Sequence, residues 1–170
     1  MSTIAMVSGD VSHKKIMKSW PGSCFACSNP AGLQLKFWHA PEGVETKCEV
    51  SAAYCGFDVV VHGGIIATIL DEAPCWAIFA KLGRLGVTQK MTSQYHRPVQ
   101  TETEFSVNAR VSSHDARHAL VRAEISDAEG TVLAESESSW VFPRLSRIAS
   151  LAGADEKMLQ SFLNDCCPGK

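Results

Sequence analysis

The most hydrophobic stretch of the sequence, VVVHGGIIATILDEAPCWAIF at residues 59–79, holds five residues of the types that acyl-transfer chemistry uses: His62, Gly63, Gly64, Asp71 and Glu72. An unpaired carboxylate is costly in such surroundings. Glycines ahead of a helix admit close backbone approach, and the unpaired N–H groups of a first helical turn attract an oxygen that is becoming negative. A carboxylate farther along serves as nucleophile or as general base toward water, and these two parts are what hydrolysis of an activated acyl group requires. Asp71 is the stronger candidate, because it lies among Leu70 and Ala73 with no Lys or Arg close in sequence. His62, in its Gly-Gly context, is placed in the same site.

Spacing sharpens the reading. Gly64 and Asp71 are seven residues apart, so on a helix they share a face but stand about 10 Å apart along the axis. One carbonyl cannot be within bonding range of both. An antiparallel copy of the helix from a symmetric partner would bring the N-terminus of one subunit to the Asp71 of the other, making two equivalent interface sites. Glu72 turns about 100° away and reads as a solvated or interface salt-bridge residue. Pro74 lacks the N–H that would bond the Leu70 carbonyl, so it kinks the helix or frees that carbonyl.

The helix that must carry these groups is apolar on more than one face, from Ile65 through Ala80, and is therefore enclosed by other elements. Gly83 supplies its stop. Before it, LQLKFWHA and TKCEVSAAY flank the turn APEG and predict a hairpin. After it, VTQKMTSQYHRPV, TEFSVNARVSS, HALVRAEISD and GTVLAESESSWVFP alternate with period two, clearest in Phe105, Val107, Ala109 and Val111, and predict an antiparallel meander. His114 and His118 bracket one of its turns and read as solvated. The sum is α+β: about six strands in one antiparallel sheet wrapped around one long central helix. Residues 1–23 read as an N-terminal arm, loosely ordered to about Trp20 with a helical turn in SHKKIMKSW. Residues 24–143 read as the main domain, and 144–170 as a helical tail with a cap-like Asp155.

Composition narrows the class. The chain has 170 residues, 45% of them hydrophobic and 8% aromatic, which suits one ordinary domain with a real core. A formal charge of −2 and a pI near 6.3 provide no basic field for nucleic acid. No secretory signal is read at the N-terminus, and His62, Asp71 and Glu72 interrupt the apolar run before it could span a membrane. A soluble cytoplasmic protein is the expectation. Seven cysteines include a single C-x-x-C, Cys24 and Cys27. Without a second pair at similar spacing the thiols read as reduced, with no metal.

Together, CFACSNPAGLQLKF, VHGGIIATILDEA, VTQKMTSQYHRPV and DAEGTVLAESESSWVF, in this order and spacing from Cys24 to Phe142, resemble the hotdog-fold acyl-CoA thioesterases, the family that includes the phenylacetate-pathway thioesterases. The resemblance implies that Asp71 attacks the thioester or activates water. It implies that the N–H of Gly63 or Gly64 polarises the carbonyl, and that His62 shapes the turn or contacts substrate. It adds Thr88, where many relatives carry a Ser or Thr that orients water or the carboxylate. It implies dimers, often paired into tetramers, that bind coenzyme A as part of the substrate and need no metal or redox cofactor.

Arg97, ending a strand near the family's substrate channel, is the better candidate for the coenzyme A phosphates, ahead of Arg84. Phe57, Trp76 and Phe79 are expected to set pocket depth, and Trp38, Trp76 and Trp140 read as core or pocket wall. One position departs from the pattern: several relatives carry Asn six residues before the histidine, and this chain has Gly56. Two other activities fit the same fold. One is a non-catalytic acyl-CoA-binding module. The other is hydration or dehydration of an acyl thioester, which usually relies on a His and an acid in a different motif.

Overall fold

A computed structural model of the chain describes residues 17–167. Six strands form one antiparallel sheet: β1 (Trp38–Ala40), β2 (Gly43–Glu49), β5 (Val87–Tyr95), β6 (Glu104–His114), β7 (His118–Ser126) and β8 (Val132–Val141), in the order β1-β2-β6-β7-β8-β5. The hairpin and the four-strand run lie where alternation predicts them. The first strand is shorter than LQLKFWHA, because Leu33 and Leu35 donate instead to the carbonyls of Phe25 and Ala26, both at 2.8 Å. Likewise SAAY leaves the sheet: Ala52–Tyr54 forms a 3-10 turn capped by Ser51, followed by a small ribbon of β3 (Cys55–Phe57) and β4 (Val60–Val61). Asp58, at φ 39°, makes the tight turn between these two strands, a conformation that Asp tolerates better than most residues.

Helix α1 spans Gly63–Leu82 and packs against β2, β5, β6, β7 and β8 of the sheet. It begins four residues later than the apolar run at Val59, because His62 caps it. The His62 Nδ1 accepts the Gly64 N–H at 2.9 Å, satisfying one of the orphan donors of the first turn. Gly83 ends the helix in the left-handed region at φ 59°, donating to the Phe79 carbonyl, where a glycine avoids the steric cost of a Cβ. One side of α1 buries Ile66, Ile69, Leu70, Ala73 and Ala77 with the inward residues Val44, Phe105, Val107, Val121 and Ile125 of the strands.

The opposite side is closed by the tail and the N-terminal segment. Helix α2 (Leu145–Ala152) leads into α3 (Glu156–Cys166), whose N-cap Asp155 accepts from the Lys157 N–H. Phe162 of α3 packs edge-on to Phe79 and Trp76, and Trp20 stacks on Phe79 with ring centroids 6.0 Å apart. Trp20 and the buried Met17, whose N–H donates to the Phe37 carbonyl, are thus part of the packed structure and not of a loose arm. The helical turn expected in SHKKIMKSW falls mostly outside the described residues. Among the described residues no helix is long and apolar enough to cross a membrane.

Pro74 leaves the Leu70 carbonyl without its helical donor, and the sheet supplies another. The Ser136 hydroxyl of β8 donates to that carbonyl at 3.2 Å from a buried position. A buried carbonyl with no partner is expensive, so a strand serine beneath a helix proline is a matched pair. Ser136→Ala is expected to lower the unfolding free energy in urea by about 1–3 kcal/mol. In a Pro74→Ala background, where the restored amide satisfies Leu70, the same change should cost clearly less. Equal losses in both backgrounds would disprove the pairing.

Candidate active site

The two carboxylates at the middle of α1 have different surroundings. Asp71 is half-buried and points toward β5, where the Thr88 hydroxyl donates to its Oδ1 at 2.8 Å. Thr88 lies beside a bulge, since Thr88 pairs with Trp140 while Lys90, two residues on, pairs with Ser139. A bulge re-aims side chains locally, here next to the carboxylate. The bond holds one oxygen of Asp71 and fixes the plane of the group.

At the start of α1, His62 and the glycines have divided roles. The Gly64 N–H is taken by the His62 ring, and the Ile65 and Ile66 amides both donate to the His62 carbonyl. The Gly63 N–H has no acceptor among the described residues, and a side chain at Gly63 would meet open space. Of the two candidate oxyanion donors, Gly63 is therefore the available one. Gly56 packs against this corner: a Cβ there would stand 3.2 Å from the His62 Cα, so the glycine lets the histidine approach the ribbon.

His62 and Gly63 open onto a cleft of about 440 Å³ lined also by Phe57, Ile66, Tyr95 and Arg97. The structure thus brings His62, Gly63, Phe57 and Arg97 together. The Tyr95 hydroxyl donates to the Gly63 carbonyl at 3.3 Å, a contact that the sequence reading missed. Phe57 is 82% exposed, and the Arg97 side chain forms no ion pair among the described residues. Arg84 is engaged elsewhere, donating to the Ala116 carbonyl at 3.0 Å and lying over the Phe142 ring. Asp71 and Thr88 do not line this cleft; they belong to the next stretch of the same helix face.

Two expectations are corrected. Trp76 is not part of the cleft: it is buried against Phe37, Phe79 and Phe162 on the far side of α1. Glu72 is neither solvated nor in a salt bridge among the described residues. Its Oε1 accepts the Trp76 indole N–H at 2.8 Å, and its Oε2 lies 3.6 Å from the Cys24 sulfur. Burial, followed by the negative charge at Cys24, pushes its carboxyl up to about 7. The Cys27 thiol donates to Cys24 and brings it down to about 5, while that bond and burial raise Cys27. The spacing of four between Glu72 and Trp76 is the signal that places both on one face.

Comparison with known proteins agrees with this architecture. A family model described as the thioesterase superfamily matches residues 59–134. An uncharacterised protein of Schizosaccharomyces pombe is 27% identical over 78 residues, covering 45% of this chain and 45% of that protein, so the match spans less than half of its length. Among solved structures, a thioesterase superfamily protein superposes with a TM-score of 0.64 at 24% identity, over 71% of this chain and 62% of that one. A hypothetical thioesterase from Streptococcus pneumoniae, solved with coenzyme A, gives 0.59 at 16% identity, over 63% and 84%. Likeness at these identities establishes the architecture. With one long helix packed on an antiparallel six-stranded sheet, the chain has the hotdog fold, and its residues 59–134 match the model of the thioesterase superfamily.

Proposed function

We propose that the protein hydrolyses an acyl-CoA thioester to a free carboxylic acid and coenzyme A, as a homo-oligomer whose site is shared between two copies. The observation that carries this reading is the Thr88–Asp71 hydrogen bond of 2.8 Å. It orients a half-buried carboxylate on the same helix that presents an unengaged Gly63 amide. Asp71 acts as nucleophile or as general base toward water, with its second oxygen directed to the reacting carbon. The Gly63 N–H, reinforced by the helix dipole, receives the developing oxyanion.

Within one chain these groups are eight residues apart and stand about 12 Å from one another along the axis. A second copy, with its helix antiparallel to the first, brings the Gly63 of one subunit to the Asp71 of the other. The surface supports this arrangement. Strand β5 is an edge of the sheet, and Phe57, Val59, Val87 and Tyr95 expose apolar area around it; an edge of this kind invites pairing. Arg97, beside the cleft, supplies a bidentate donor for phosphate. The coenzyme A in the Streptococcus pneumoniae structure supports the choice of thioester.

Thiol release from short, medium, long-chain and aryl acyl-CoAs tests the activity. Asp71→Asn is expected to lower kcat by at least about 100-fold, and Thr88→Val by about 10- to 100-fold, the worth of a hydrogen bond to a charged group, with Thr88→Ser retaining most of the rate. Turnover unchanged by Asp71→Asn would remove the assignment. Arg97→Ala is expected to raise KM for acyl-CoA by about tenfold with kcat preserved, and to leave an N-acetylcysteamine thioester, which carries no phosphate, unaffected. An equal effect on both substrates would show that Arg97 does not read the phosphates.

A further inference from the structure

The loop that carries the C-x-x-C pair is built as a rigid turn facing α1. Ser28 Oγ accepts the Cys24 N–H at 2.8 Å and donates to the Gly22 carbonyl at 2.5 Å, while the Ser28 and Asn29 amides both donate to the Cys24 carbonyl. This turn directs both thiols inward, toward Glu72. One ligand atom from each of Cys24, Cys27 and Glu72 lies within 4.8 Å of the others. Beside them is a cavity of about 200 Å³ whose walls include Trp20, Trp76, Phe79 and Leu85.

The chemistry of this corner is unusual for an apolar wall. Three groups that can each become anionic converge there, and no Lys, Arg or His forms an ion pair with Glu72 among the described residues. Buried charges are ordinarily paired or bound to a metal. We propose that Cys24, Cys27 and Glu72 bind a zinc ion, with a water from the adjoining cavity in the fourth position, and that the ion fastens the 22–35 loop to α1. Ligand atoms of a tetrahedral zinc lie about 3–4 Å apart, so small side-chain rotations close the site. Two thiolates exclude magnesium and calcium, and the mixed sulfur and oxygen set suits a borderline-soft ion such as zinc. Glu72 lies about 100° around α1 from Asp71 and its Thr88 partner, so the site occupies a different face of the helix and does not depend on thioester hydrolysis.

The test uses full-length protein, reduced, stripped with chelator and titrated with cobalt(II) as a spectroscopic probe, then with zinc. One equivalent of cobalt is expected to give a thiolate-to-cobalt charge-transfer band with tetrahedral visible absorption, both displaced by one equivalent of zinc, and zinc should raise the melting temperature. Cys24→Ser and Cys27→Ser should each abolish stoichiometric binding. Glu72→Gln should keep the two thiolates but weaken zinc affinity by at least about tenfold, and Cys167→Ser should change nothing. If thiol counting shows Cys24 and Cys27 reduced and no band develops, the zinc site is refuted. A band that survives both cysteine substitutions, or a Glu72→Gln protein that binds zinc as tightly as the parent, overturns the ligand set.

Discussion

The burial of α1 on both sides is the constraint on which the other features depend. A helix crossing a sheet on one side and covered by α3 and Trp20 on the other has little solvent to hydrate its polar groups. Each polar group on it must therefore find a protein partner. The Leu70 carbonyl released by Pro74 finds Ser136, Asp71 finds Thr88, and Glu72 finds Trp76 and Cys24. These partners come from β8, β5 and the N-terminal loop, so the helix is pinned in rotation as well as in position. Rotational pinning matters because adjacent carboxylates about 100° apart serve different surroundings only while the helix does not turn.

The first turn of α1 follows the same logic with the opposite result. His62 consumes the Gly64 amide and, through its carbonyl, the Ile65 and Ile66 amides, which leaves the Gly63 N–H without an acceptor. The histidine thus acts as a cap, and Gly63, whose donor it spares, lines the cleft that also holds Arg97 and the exposed Phe57. Gly56 makes room for this cap by lacking a side chain against the His62 backbone. The cleft and the Asp71–Thr88 pair are separate within one chain, which is why the proposed reaction calls for a second copy.

Most of the fold was legible in the sequence because its signals are local. Period-two alternation marked β5 to β8 and the hairpin, Gly83 marked the end of α1, and Asp155 marked the start of α3. Boundaries shifted where long-range bonds competed with propensity: Leu33 and Leu35 pair with a loop, and SAAY tightens into a 3-10 turn. Glu72 was misread, and Trp76 left open between pocket and core, for one reason. Periodicity on a helix that is apolar all round does not say which side faces which neighbour, so Glu72 was read as solvated or in an interface salt bridge, whereas Trp76 proves to be core.

The sequence by itself determined the types and spacings: a capped apolar helix, an acid seven residues beyond the second glycine, a proline three residues beyond that acid, and a sheet to enclose them. Backbone sterics and hydrophobic periodicity act over a few residues and are written in the order of the chain. Only the tertiary structure decided that Thr88 meets Asp71, that Ser136 meets Leu70, and that Cys24 and Cys27 meet Glu72. Those meetings join residues 17, 66 and up to 48 positions apart. They depend on the rotation of α1, which is set by packing both of its sides at once.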